Sequence, residues 1–392
     1  MKLSFTDYNS LVSALTDMQI VVEDSLLSDD AKNVVFRATP TGVVLNGVNR
    51  LITYRIPLDV HYVEADKDEC MQIRSRELLN FLSSYKTLSQ TQVVEVNFET
   101  QNSLRAKCTV VEQLKNPSDE AASSHRYTSS WVFDNIPIPA PLLKSLDTPV
   151  PTSDSTELKV EDLKWFTDNL LPSLSSSLDA YSNMLFTDKK CIVLNQSYTI
   201  IADNNLGITD WNTLKLSHRV MQFINKNICN TKNKDKTVRF TKTDRNLYIE
   251  LEDGSQVFLT YTSQLPPYQV YLDMIDTTHM IKVDRKYLRD ILKRVSLLKE
   301  PIMVDIDCND HILTLRNTKF NQSIDMVEYK EIDGYDNIRF KIMPDVIDKI
   351  MIGSDKNNDY LYIYYNVSQG NHIIMFSDEN NHWFSIVRVK IY

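Results

Sequence analysis

Hydrophobic positions along the chain follow two periods, one near 3.6 and one near 2, and they change over in a regular order. The clearest helical stretch is IKVDRKYLRDILKRVSLL (281–298). Tyr287, Leu288, Ile291, Leu292, Val295 and Leu298 recur at helical spacing and predict one apolar stripe. Asp284 stands where an N-cap belongs, because its carboxylate can accept from an otherwise unpaired amide of the first turn. On the opposite side Lys286, Arg289 and Lys293 form a cationic row, with Arg285 and Arg294 on its flanks. Taken alone, such a row is a solvated surface. Held against phosphates, it is a binding face. Leu297 projects from the polar side, which fits a subunit contact better than open water.

From the start of the chain, 5–18 reads as an amphipathic helix with Leu11, Leu15 and Met18 on one side. The runs VVFRAT, GVVLNGV and LITYRIPL follow, separated by short turns, and predict an antiparallel meander. A second helix covers 74–86, with Leu78, Leu79, Leu82 and Tyr85 apolar and Arg74 and Arg76 at its start. VVEVNFE and LRAKCTV read as strands. The polar stretch 112–130 reads as a mobile loop. Proline in IPIPAP and TPVPTS places a boundary at 135–156.

The pattern then restarts. A helix at 160–171 precedes the strands MLFTD, CIVLN and YTIIAD. A second helix at 217–228 turns Val220, Phe223 and Ile224 inward and His218, Gln222 and Lys226 outward, with Arg219 at the edge. TVRFT, NLYIEL and QVFLTYT follow, with Glu252, Asp253 and Gly254 as a hairpin turn. After the connector LPPYQVYL comes the third pass: the 281–298 helix, IMVDID and ILTLRN around an acidic turn, a strand at 323–329, a helix at 344–352, and three closing strands. The second and third passes are offset by about 125 residues at both helices. Such a repeat decides the architecture. It predicts an α+β fold of three tandem domains, each with two helices packed on antiparallel sheet. The expected limits are 1–134 with the polar loop 112–130, a linker at 135–156, then 157–277 and 278–392.

Composition narrows the function classes. A net charge of −9 requires any nucleic-acid contact to be local, on one face. Seven glycines in 392 residues argue against Gly-rich phosphate loops. The five cysteines are scattered without a CxxC pair and read as reduced thiols of a cytosolic protein. MKLSFTDYNS lacks the apolar core of a signal peptide, and no run reaches the length of a membrane span. DIDCND (305–310) fails as a calcium loop: its sixth position is Asp310 rather than Gly, and its twelfth is Arg316 rather than Glu. It reads as an acidic hairpin turn. The seven histidines have no zinc spacing, and no GxSxG, Walker A or GxGxxG occurs. No catalytic constellation emerges from these features.

In order along the chain, these segments resemble the bacterial-type sliding clamp, the β subunit that tethers replicative DNA polymerase. VVFRATPTGVVLNGVNRLITYRI is similar to its first domain and NMLFTDKKCIVLNQSYTIIADNN to its second. FLTYTSQLPPYQVYL resembles its connector, and 281–298 through ILTLRN its third domain. Some positions depart from the family pattern. Ala202–Asp203–Asn204–Asn205–Leu206 stands where the family has a basic, Gly-containing loop. Val387–Arg388–Val389 replaces Met-Pro-Met, Tyr392 is extra, and 112–130 is inserted. They fit a divergent member and leave a cellular and a phage-encoded origin both open.

The resemblance implies a homodimeric ring around double-stranded DNA, a processivity factor of DNA replication in the cytoplasm, or the host cytoplasm for a phage protein. Its partners would be DNA polymerase, an ATP-dependent clamp loader and a second copy of itself, with no membrane. The implied DNA-facing residues are Arg76, His218, Arg219, Lys226, Lys286, Arg289 and Lys293. The implied peptide pocket uses Tyr181, Ile201, Leu206, Pro266, Tyr268, Tyr271, Ile386, Val387, Val389 and Ile391. The dimer contact would join Leu297 and Leu298 to a sheet edge around Leu104 and Cys108. A clamp-fold platform for transcription or repair factors, or a viral structural ring protein, remain the other readings.

Overall fold

The computed structural model describes residues 1–22, 32–39, 42–66, 69–85, 91–115, 125–152, 155–175, 182–207, 214–243, 246–261, 268–297, 299–330, 337–351, 359–368 and 370–392. The expected α+β class is observed: every ladder among these residues is antiparallel, and helices lie between the strand runs. The chain forms two compact units. One is Met1–Val160 with Asn230–Tyr261; the other is Glu161–Cys229 with Thr262–Tyr392.

The first unit holds two sheets. Five strands run in the order Tyr62–Glu64, Lys2–Phe5, Thr91–Asn102, Arg105–Leu114, Arg126–Asp134. Eight run in the order Thr156–Lys159, Thr237–Lys242, Asn246–Leu251, Gln256–Thr260, Ile52–Leu58, Gly42–Val48, Asn33–Thr39, Cys70–Arg74. Phe5 and Phe98 of the smaller sheet meet Phe36 of the larger one, with ring centroids 6.4 and 5.1 Å from it, so the core lies between the sheets. The helices Tyr8–Val22 and Ser75–Ser84 pack together, and the Tyr8 hydroxyl donates to the Leu82 carbonyl at 2.6 Å. The first of them lies directly on glycine backbone. A Cβ at Gly47 would come within 2.8 Å of Met18 Sδ and 3.1 Å of Val22 Cγ1. Gly254, at φ +80°, makes the expected hairpin turn.

Two stretches differ from the sequence expectation. The polar stretch 112–130 is strand at both described ends, and Arg126–Asp134 forms the last strand of the five-stranded sheet. Its serines and threonine occupy an exposed edge strand, where polarity carries no cost. The Pro-rich stretch carries the helix Ala140–Leu146 and is gripped from below. Arg55 donates to the carbonyls of Ser145, Leu146 and Thr148 at 3.1, 2.9 and 2.9 Å. Arg37 donates to the Leu146 carbonyl at 3.1 Å and pairs with Asp147 at 2.8 Å. Proline removes backbone donors here, so the stretch is held by its carbonyls.

The second unit also holds two sheets. Nine strands run Leu214–Ser217, Asn183–Phe186, Lys190–Leu194, Thr199–Asp203, Trp383–Val389, Asn371–Ser377, Tyr360–Ser368, Met280–Asp284, Glu328–Tyr329. Four run Asn321–Asp325, Ile312–Arg316, Ile302–Asp307, Asn337–Ile342. The expected strand at 323–329 is therefore split between the two sheets. Ser217 caps the helix His218–Phe223, which continues as one π turn, Ile224–Ile228. The acidic turn is closed by Asp307, whose carboxylate accepts from the amides of Asn309 and Asp310 at 3.0 Å each. Among the described residues no helix is long and apolar enough to cross a membrane.

Replacing Arg55 by Gln removes the charged donor under 145–148. The three charge-assisted hydrogen bonds make an expected loss of about 2–3 kcal/mol, read as a lower melting temperature with faster proteolysis in that stretch. Unchanged melting and cleavage would show that Arg55 does not hold it.

Candidate nucleic-acid interface and partner groove

The helix Arg285–Ser296 is built as its sequence predicts. The Asp284 carboxylate accepts from the Tyr287 amide at 2.6 Å, and Leu288, Ile291, Leu292 and Val295 are buried. Lys286, Arg289 and Lys293 are exposed on the other side. Lys293 also lies 3.8 Å from Asp290, an exposed pair that contributes little. Two members of the expected pattern change sides. Tyr287 is 44% exposed, and its hydroxyl accepts from Gln322 at 2.9 Å; Gln322 in turn accepts from Arg294 at 3.3 Å. Its ring therefore extends the polar face instead of the core. Arg285, expected on the flank of the cationic row, is buried.

The other candidate cations sit on helices of the same kind. Arg76 is exposed in the first turn of Ser75–Ser84, and Lys226 is exposed in the π turn after His218–Phe223. Arg219 and His218 are half-buried. Burial, and then the neighbouring Arg219 guanidinium, push the His218 imidazole below its ordinary value. It is therefore neutral near pH 7 and adds no charge to this set.

The residues expected at a subunit contact separate into two kinds. Leu297 is 81% exposed and Leu104, in the turn after Asn102, is 61% exposed. Leu298 lies outside the described residues. Cys108 is fully buried in Arg105–Leu114, which has a strand on each side: Cys108 faces Phe98 and Trp131 across the two ladders. The open edge expected there is displaced by one strand, to Arg126–Asp134, where Tyr127, Trp131 and Val132 are exposed.

A groove forms where the last strand outruns one of its neighbours. Trp383–Val389 pairs with Thr199–Asp203 only as far as Thr199 opposite Ile386. Before Thr199 the chain turns away: the Asn195 amide donates to the Tyr198 carbonyl at 2.9 Å, and the Asn195 side chain is tied to the Ser173 carbonyl. On its other side the strand stays paired through Val389 opposite His372. Beyond Ile386, therefore, one edge of the strand has no strand partner among the described residues. Two residues after Val389, Ile391 bridges Phe340, and the Tyr392 amide donates to the Arg339 carbonyl at 2.9 Å. The result is a cavity of about 360 Å³ with Ile386, Val387 and Val389 along it. Asn195–Thr199 forms one wall, and Met343 and Val346 belong to the other, with Tyr271 also lining it.

Of the expected pocket residues, the groove brings together Tyr271, Ile386, Val387 and Val389. Tyr268 packs beside Tyr271 against the cluster that contains Ile201, Phe384 and Ile386. Ile201 is fully buried in that cluster and supports the site from within. Leu206 is also buried and lines a different cavity, of about 280 Å³, with Trp165, Phe166 and Trp383. Ile391 is half-buried at the bridge to Phe340. Tyr181 and Pro266 lie outside the described residues. Sequence reading missed Met343, Val346 and the 195–199 wall. The one local signal there is the Asn195–Gln196–Ser197 run, whose short polar side chains favour a turn. A mixed lining, with apolar side chains of Met343, Val346 and the last strand among the polar groups of 195–199, lies beside an unpaired strand edge. It is suited to an extended peptide, with main-chain groups giving affinity and side-chain pockets giving selection.

Solved structures give this fold a relative over its full length. The chain is similar to the DNA polymerase III beta chain of Streptococcus pneumoniae, with a TM-score of 0.73 and 12% identity over 99% of both chains. It is similar to the Helicobacter pylori beta clamp bound to a DNA ligase peptide, with a TM-score of 0.70 and 12% identity over 100% of both chains. The Pseudomonas aeruginosa sliding clamp bound to griselimycin gives a TM-score of 0.71 and 12% identity, over 100% of this chain and 99% of that one. No family model matches the sequence, and no curated protein does. The chain has the β sliding-clamp fold from end to end, in a divergent sequence.

Asp284→Ala removes the side-chain acceptor that holds the first turn of the cationic helix. The expected loss is about 1 kcal/mol, seen as a lower melting temperature, with Asp284→Asn close to wild type. Equal melting of all three would mean that the cap is idle.

Proposed function

We propose that the chain is a sliding clamp, a non-enzymatic processivity factor of DNA replication. Two copies, each of three tandem domains (1–134, 157–277 and 278–392, joined by 135–156), close a ring around duplex DNA and hold the replicative DNA polymerase to its template. ATP hydrolysis belongs to a separate loader that opens the ring. The protein works in the cytoplasm, or in the host cytoplasm for a phage-encoded chain. The observation that carries this reading is the likeness to β clamps over the whole of both chains.

The exposed cations supply the chemistry. Duplex DNA carries a charge every ~1.7 Å of axis, so Lys286, Arg289 and Lys293, with Arg76, Arg219 and Lys226, attract it through phosphate without reading bases. Long side chains on helices allow contacts that exchange as the ring slides. The whole chain carries a net charge of −9, so the surface outside these cations is more acidic still and disfavours DNA elsewhere. The groove beyond Ile386 is the partner site, in keeping with a relative that binds a DNA ligase peptide. Self-association uses Leu297 of one copy and the exposed edge strand Arg126–Asp134 of the other, extending a sheet across the contact.

Changing Lys286, Arg289 and Lys293 together to Glu is expected to abolish retention on circular DNA for any base composition. Wild type should be retained on circles and lost from linear DNA, with binding that weakens steeply as salt rises. Full retention by the triple variant would remove these residues from the DNA-facing surface.

Light scattering should give about twice the 45.4 kDa chain mass. Either Leu297→Asp or Trp131→Asp should shift it toward one chain mass while melting stays close to wild type. A stable trimer, or a dimer indifferent to both changes, would overturn the proposed contact.

A further inference from the structure

The groove inverts the charge of the chain that builds it. The sequence carries 52 acidic residues against 43 lysines and arginines. Yet the charged residues lining the groove are Lys341 and Arg388, and among the described residues no carboxylate lines it. Lys390 follows on the same strand end. None of these three cations has a carboxylate within 4.0 Å among the described residues. Each is held instead on an aromatic face. The Arg388 guanidinium lies 5.8 Å from the centre of the Tyr271 ring, and the ammonium groups of Lys341 and Lys390 lie 5.2 and 5.7 Å from that of Tyr392. Two ammonium groups sharing one ring repel each other until an anion arrives, and ring contact has already restricted three long side chains.

We infer that the groove selects an extended, acidic peptide segment. An apolar side chain of the partner seats on Ile386, Val387 and Val389, and flanking aspartates or glutamates pair with Arg388, Lys341 and Lys390. The inference rests on the groove being the partner site and specifies which partners enter it. The open strand edge beyond Ile386 favours an extended backbone. The apolar lining from Met343, Val346 and the strand favours a peptide over a phosphate backbone, which has no aliphatic group to bury there. Charge-assisted pairs beside the apolar residues of the groove add selection against basic and neutral segments as well as affinity.

The test uses the full chain and labelled synthetic peptides of one length. All carry the same two leucine anchors, flanked by aspartates, asparagines or lysines, and binding is followed by fluorescence anisotropy. The aspartate peptide is expected to bind about tenfold more tightly than the asparagine peptide, and the lysine peptide more weakly still. That advantage should shrink as salt rises. It should vanish in the variant Lys341→Gln with Arg388→Gln and Lys390→Gln, to which the aspartate and asparagine peptides bind alike. Val389→Asp, checked by melting for an intact fold, should weaken all three peptides. Equal binding of aspartate and asparagine peptides, with both weakened by Val389→Asp, would overturn the charge inference and leave the partner site standing. Binding untouched by Val389→Asp, or no binding by any peptide, would overturn the partner site and this inference with it.

Discussion

Main-chain pairing between strands that are remote in sequence holds this architecture. In the second unit, Thr199–Asp203 pairs with Trp383–Val389 from Thr199 opposite Ile386 to Ala202 opposite Trp383. In the first, Ile52–Leu58 pairs with Gln256–Thr260 from Ile52 opposite Leu259 to Arg55 opposite Gln256. Each seam turns what would be two small sheets, each with an open edge, into one large sheet. The residues at the seams are buried on both sides: Ile200, Ile201, Phe384 and Ser385 in one, Ile52, Tyr54, Val257 and Leu259 in the other. The groove is a consequence of the second seam, since it opens where that pairing stops.

Two kinds of surface chemistry follow from this frame. On the helices, cations stand at exposed positions because the inward positions are taken by aliphatic residues. His218 shows the opposite case, an imidazole drawn partly inward and kept neutral by that burial. At the groove, cations stand at the end of a strand, where side chains alternate and every second one leaves the sheet. Arg388 is exposed between the buried Val387 and the half-buried Val389. Each pattern needs only local periodicity, so a chain with a net negative charge can still present positive faces of a few residues.

What could be read from the sequence follows the range of the forces involved. The N-cap at Asp284, the turn at Gly254, the acidic hairpin at Asp307 and the helix–strand repeat all rest on neighbours in the chain, and the structure has them where the residues predict. Tyr287 misled because a tyrosine satisfies an apolar stripe equally well with its ring at the surface, once Gln322 from a later strand meets its hydroxyl. Arg126–Asp134 misled because an edge strand does not require apolar alternation. Cys108 was placed at an edge by the family resemblance, whereas in this chain Arg126–Asp134 lies outside its strand. In the groove, Tyr271 and the last strand were legible as apolar residues near a connector and a terminus. Met343, Val346 and Asn195–Thr199 were not, because only the long-range pairings of Ile386 and Ile391 bring them alongside.

The seam in the second unit also orders events during synthesis. The strand Thr199–Asp203 is made long before Trp383–Val389 exists, so while residues 204–382 are added its outer edge waits without that partner. Contacts of such separation are slow to close, and an exposed apolar strand in the interval is a place where chains join wrongly. The nascent chain therefore carries an open edge around Ile200 and Ile201 until Trp383–Val389 emerges, and the groove beyond Ile386 takes shape only after that.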